Sequence, residues 1–149
     1  MEELTEKYDK VYRYCFYKVR NAYAAEDITQ ETFLRYFAQN NRLKSGENMA
    51  YLYTIAKNLC KNFFRQKQTE ELPEDYPIED FTEKSDRKIA VRAALEQLDE
   101  RHKEVILLRY FGDISVNETA KTIGISRFAV YRLERSALNE MKTYLKGVL

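Results

Sequence analysis

Apolar residues recur at spacings of three and four along almost the whole chain, and that periodicity confines it to helices. Leu4, Tyr8, Val11, Tyr12, Cys15 and Val19 set one amphipathic helix from about residue 3 to 20. After a break at Asn21-Ala22-Tyr23, Ile28, Phe33, Leu34 and Phe37 mark the buried side of a second, about 25–39. Asn40-Asn41 and Ser45-Gly46 read as a loop. A third helix, about 48–67, turns Leu52, Ile55, Ala56, Leu59 and Phe63 inward. Further helices are expected over about 86–98, 102–111, 116–123 and 127–145. Only four Gly and two Pro leave little room for the tight turns of an all-β fold.

The period fails once at length. Thr69 to Ser85 contains both prolines, Pro73 and Pro77, and no sustained repeat, the composition of a flexible linker. Charge divides the chain at the same place. Residues 69–86 carry one Lys against 8 acids, net −7, whereas 1–68 and 87–149 each carry 12 Lys/Arg against 8 acids, net +4. The overall +1 therefore hides two basic blocks, better suited to a polyanion than the total suggests. The expected architecture is all-α: a small helical domain over 1–68, a flexible acidic linker over 69–85 and a second small helical domain over 86–149.

Several function classes fall away. Cys15 and Cys60 share no metal-ligand spacing, and His102 is the one histidine, so no metal site is expected. Both cysteines read as small buried apolar residues in a reducing compartment. No nucleophile, paired base or cofactor-binding motif appears, so the chain is expected to be no enzyme and to need no cofactor. His102, between Arg101 and Lys103, reads as a surface residue. The start Met1-Glu2-Glu3 lacks a signal-peptide core, and no apolar run approaches the roughly 18 residues of a membrane span. A soluble, cytoplasmic protein with no membrane contact of its own is expected.

The strongest local signal lies between Val116 and Arg135. Ser115 and Glu118 have the spacing of a capping box. Gly124 supplies the left-handed turn that ends this helix, and Ser126 caps the next. Ala120 is small where two helices cross, and Ile123, Ile125, Val130 and Leu133 fill the joint. These are the requirements of a helix-turn-helix. With Val130, Leu133, Ala137 and Met141 inward, Arg127, Phe128, Tyr131, Arg132 and Arg135 are left outside. Arginine forks suit guanine edges and phosphates. Arg127, Tyr131 and Arg132, near the helix start, are the expected base readers and Arg135 a phosphate contact.

The first block carries two further surfaces. Asp27, Gln30 and Glu31 lie on neighbouring turns and form an acidic and amide ridge, which repels DNA but suits a basic partner helix. Lys57, Lys61 and Arg65 step by four into a basic stripe, with Asn58 and Asn62 able to bond an unstacked base. Ala25-Glu26-Asp27-Ile28-Thr29-Gln30-Glu31-Thr32-Phe33-Leu34-Arg35 resembles the polymerase-binding segment of bacterial RNA polymerase sigma factors. Tyr51-Leu52-Tyr53-Thr54-Ile55-Ala56-Lys57-Asn58 is similar to the family's promoter-opening segment. Leu98 through Tyr110 resembles the helix before its helix-turn-helix. With these three segments in order, the chain resembles the extracytoplasmic-function (ECF) subfamily of that family. It departs where members often carry Trp (Tyr51 here), Asp (Asn62) and Thr (Ala129).

The resemblance implies a factor that directs promoter recognition and transcription initiation. Asp27, Gln30 and Glu31 would bind core RNA polymerase at the clamp helices of its beta-prime subunit, with the beta subunit also in reach. Lys57, Asn58, Lys61, Asn62 and Arg65 would meet the minus-ten element of promoter DNA, one flipped base entering a pocket near Asn40 to Glu47. Ser126, Arg127, Phe128, Tyr131, Arg132 and Arg135 would meet the minus-thirty-five element. The acidic linker would pass near the RNA exit path, and an anti-sigma factor would regulate the whole. The alternative is a helix-turn-helix regulator that acts without joining polymerase, which charge reversal at Asp27 and Glu31 would leave active.

Overall fold

The computed structural model describes residues 2–39, 48–69 and 86–148, and among these the chain is helical with no strand. The first block holds α1 (Glu2–Val19), α2 (Ala22–Ala38) and α3 (Asn48–Thr69). The second holds α4 (Asp86–Glu96), α5 (Glu100–Ile106) with a π-helical turn at Leu107–Phe111, α6 (Val116–Ile123) and α7 (Arg127–Val148). The expected linker, and the loop from Asn40 to Glu47, lie outside the described residues apart from Thr69, which ends α3.

Local chemistry explains the breaks. The turn between α1 and α2 is tighter than the sequence suggests, because Arg20 takes a left-handed φ of 56° and the Asn21 side chain accepts from the Ala24 amide at 3.0 Å. Ala22 and Tyr23 are therefore already helical. Asp99 caps α5 in the same way, accepting from the His102 amide at 2.9 Å, so that helix starts two residues before the expected position. His102 is no free surface residue: its half-buried ring bridges Asp99 at 2.7 Å and Ser136 of α7 at 3.1 Å.

On α2 the buried face runs through Ala24, Ala25, Ile28, Thr29, Thr32, Phe33 and Tyr36. Thr29 and Thr32 are fully buried because their hydroxyls donate back to the carbonyls of Ala25 and Ile28, both at 2.7 Å. The inner stripe is thus partly threonine, and Leu34 and Phe37, expected inside, are 65% and 47% exposed. Leu34 lies about 100° around the helix from Phe33 and so faces away from the core.

Both blocks contribute to one apolar core. Val11, Tyr14, Leu52, Tyr53 and Ala56 from the first pack in the same cluster as Leu95, Leu98, Leu107, Leu108 and Met141 from the second. Polar bonds seal the contact. Glu104 of α5, 7% exposed, accepts from the Tyr14 hydroxyl and pairs with Lys18. Tyr53 donates to the Gly112 carbonyl at 2.9 Å, and Phe111 packs on Tyr17 with ring centroids 4.1 Å apart. A Cβ at Gly112 would stand 2.8 Å from the Tyr53 oxygen, so only glycine allows that approach. Cys15 and Cys60 are buried in this core; the Cys60 thiol is pushed well up, first by its hydrogen bond with Cys15 and then by burial, which makes it a poor nucleophile.

Candidate nucleic-acid interface

The helix-turn-helix is assembled by short-range bonds. Ser115 accepts from the Glu118 amide at 3.1 Å while Glu118 reaches back to the Ser115 amide at 3.3 Å, which completes the capping box. Gly124 takes φ 83° and ψ 36°, and its amide closes the helix on the Ala120 carbonyl at 2.8 Å. Ser126 then accepts from the Ala129 amide at 3.1 Å and starts α7. Val105, Ala120 and Val130 form a small core in the joint, with Val116, Ile123, Ile125 and Leu133 around it. Ala120, Ile123, Ile125, Val130 and Leu133 are the joint residues expected from the sequence, and the structure adds Val105 and Val116.

That packing leaves one face of α7 in solvent. Ser126, Arg127, Phe128, Tyr131, Arg132 and Arg135 are all exposed, and Phe128 keeps 72% of its surface free. Phe128, Tyr131, Arg132 and Arg135 line an open groove of about 980 Å³ that continues along α7 to Tyr144. Asn139 and Thr143 also line it, and the sequence reading missed them. Their position one and two turns beyond Arg135 is the signal that would have found them.

On α3, Asn58, Lys61, Asn62 and Arg65 are exposed, as an outward polar stripe requires. Lys57 departs from it. It is half-buried against the second block, where its ammonium donates to the Thr122 carbonyl of α6 at 3.3 Å. Burial first, and then the neighbouring Lys61, lowers its pKa. Thr122 also donates to the Ala50 carbonyl at 3.3 Å, so the start of α3 sits against the first helix of the helix-turn-helix.

The ridge on α2 is open. Asp27 and Gln30 are exposed and Glu31 is half-exposed. Gln30 donates to Glu26 at 3.2 Å and Arg35 pairs with Glu31 at 3.0 Å, both one turn apart along the helix. Such solvent-facing pairs are weak and easily exchanged for a partner. Leu34 follows Asp27, Gln30 and Glu31 at seven, four and three residues, so it shares their face and adds an apolar centre to a charged surface.

Among the described residues no helix is long and apolar enough to cross a membrane. The family model for Sigma-70 region 2 matches residues 4–70, and that for Sigma-70, region 4 matches residues 94–143. The chain is 30% identical over 154 residues to the ECF RNA polymerase sigma factor BldN of Streptomyces coelicolor, covering 92% of this chain and 56% of that protein. It is 29% identical over 156 residues to the ECF RNA polymerase sigma factor SigE of Mycolicibacterium smegmatis, covering 97% and 61%. It thus spans somewhat over half the length of these curated relatives. In fold it is similar to the sigma factor RpoE solved with the anti-sigma factor NepR from Bartonella quintana, with a TM-score of 0.76 at 22% identity over 97% of this chain and 95% of that one. With the two regions together taking up most of its length, the chain belongs to the sigma-70 family of bacterial RNA polymerase sigma factors, in its extracytoplasmic-function group.

Proposed function

We propose that this chain docks on core RNA polymerase, directs it to promoters and acts in the cytoplasm without chemistry of its own. The observation that carries this reading is the pair of opposed exposed faces: the acidic ridge of α2 around Leu34, and the arginine-rich face of α7. The ridge of Asp27, Gln30 and Glu31 suits the clamp helices of the beta-prime subunit. Residues 1–68 form the unit that meets polymerase and the minus-ten element, through Lys57, Asn58, Lys61, Asn62 and Arg65. Residues 86–149 meet the minus-thirty-five duplex through Ser126, Arg127, Phe128, Tyr131, Arg132 and Arg135, with the acidic segment 69–85 between them. An anti-sigma protein is the regulator in this reading, as the Bartonella relative's NepR complex suggests.

Distance adds a step. The two promoter elements lie about 25 base pairs apart, or about 85 Å at 3.4 Å per pair. A compact chain of 149 residues has a radius of gyration of about 15 Å. The two blocks must therefore part before one chain serves both elements, which also frees Lys57 from Thr122. Docking need not wait for this, because the α2 ridge is open while the blocks are closed.

The test is charge reversal on the ridge. Asp27→Lys with Glu31→Lys should leave helicity unchanged and abolish co-purification with core polymerase. Retained polymerase binding would overturn the reading.

A further inference from the structure

Arg109 sits in the π-helical turn that follows α5, outside the two helices of the helix-turn-helix. Its Nε donates to Oε1 of Glu134 at 2.9 Å, and its Nη1 donates to the Ile114 carbonyl at 2.8 Å. Ile114 immediately precedes Ser115, the cap of α6, and Glu134 lies on α7 one turn beyond Tyr131. One guanidinium therefore ties the π turn to the start of the first helix and to the flank of the second. The pair is largely withdrawn from solvent, with side chains 26% and 13% exposed. Tyr110, the next residue of the turn, feels the same carboxylate: burial, then the charge of Glu134, raises its pKa.

Glu134 needs such a partner. Its side chain is only 13% exposed, and it follows Arg127 and Tyr131 at seven and three residues, which puts it at the edge of their face. No cation lies three or four residues away on α7, since those positions hold Val130, Tyr131, Ala137 and Leu138. Of the two Arg109 bonds one reaches α7 and the other the residue before the α6 cap, so the fork links the two helices of the helix-turn-helix to each other.

We propose that Arg109 is the positioning residue of the α7 face: through Glu134 it sets the rotation at which Arg127, Tyr131 and Arg132 meet base edges, without touching DNA itself. This rests on the promoter-binding reading above.

The test uses holoenzyme made from core polymerase and the full chain, on a promoter selected from a random library. Initiation is compared with the same promoter carrying a scrambled minus-thirty-five element, as a function of salt. For Arg109→Met the ratio between the two templates should fall about tenfold, the scale of one lost bidentate base contact. The dependence of DNA binding on salt should stay as it was. Glu134→Ala should lose about as much, and the double variant no more than either, since the two side chains act as one unit. Arg109→Lys keeps the charge without the two-way fork and should lose several-fold, which keeps the proposal testable if Arg109→Met proves unfolded by thermal melting.

A discrimination ratio unchanged in folded Arg109→Lys and Glu134→Ala would overturn the proposal. So would a salt slope lowered by about one with discrimination intact, the mark of a direct phosphate contact. An equal drop on both templates would reduce Arg109 to a structural strut. If the unmodified holoenzyme starts transcription on no template, the underlying reading fails first and takes the proposal with it.

Discussion

Leu34 leaves 65% of its surface in solvent on the same helix face as Asp27, Gln30 and Glu31. An apolar side chain ringed by polar ones is the pattern of an interface centre, where few residues carry most of the binding energy. Leu34→Ala removes no core contact and should change stability by no more than about 0.5 kcal/mol in urea unfolding. The same change should weaken binding to core polymerase about tenfold or more, measured by competition with the unmodified chain. Full affinity in Leu34→Ala would remove it from the interface. Residue identity alone misplaced Leu34 and Phe37, since both are apolar and were expected inside. The reason is chemical: Thr29 and Thr32 hide their hydroxyls on α2's own carbonyls and occupy the core in their place. Lys57 was misread for the opposite reason, because its long stem lies against α6 while its ammonium finds the Thr122 carbonyl.

The ends around the turn between α6 and α7 were legible, whereas the starts of α2 and α5, capped just as locally by Asn21 and Asp99, lie before the expected positions. Ser115, Glu118, Gly124 and Ser126 close α6 and open α7 through bonds spanning three or four residues, so a pattern of residue types suffices to read them. Gly124 is left-handed with nothing within 4 Å of an added Cβ, so Gly124→Ala should cost about 1–2 kcal/mol through backbone strain alone. Ser115→Ala should cost about 1 kcal/mol through the lost cap. Denaturant midpoints on the folded chain measure both, and a neutral Gly124→Ala would contradict the turn described here. The π turn was illegible. Its wide winding is set beside Gly112 pressed against Tyr53, 59 residues away in sequence, and nothing in Leu107–Phe111 announces it.

At the scale of the whole molecule, the closed packing of the two blocks depends on pairs that no local pattern reveals. Tyr14 and Lys18 meet Glu104 across 90 and 86 residues. Glu104→Ala would strand a largely buried ammonium, a loss of about 3–5 kcal/mol if the blocks stayed together. Parting relieves that cost, so the variant should open, seen as a radius of gyration in small-angle scattering above the roughly 15 Å of a compact chain. An unchanged radius would contradict this. Burial, the largest influence, pulls the Lys18 pKa down, but the charge and hydrogen bond of Glu104 together with Cys60 and Glu100 raise it, and the net shift is upward from 10.5. Stability from this pair is therefore fully present below 10.5 and is lost only as pH rises through the higher folded value. The Lys18 contribution should accordingly hold across the neutral range and weaken only in strong alkali. In the proposed function, acidic and basic faces on one chain join polymerase to template. In-vitro transcription with purified core polymerase and a promoter library, with and without the chain, tests it most directly. New RNA starts at defined sites are expected only when the chain is present; starts that are absent, or the same with and without it, would rule out the proposed function.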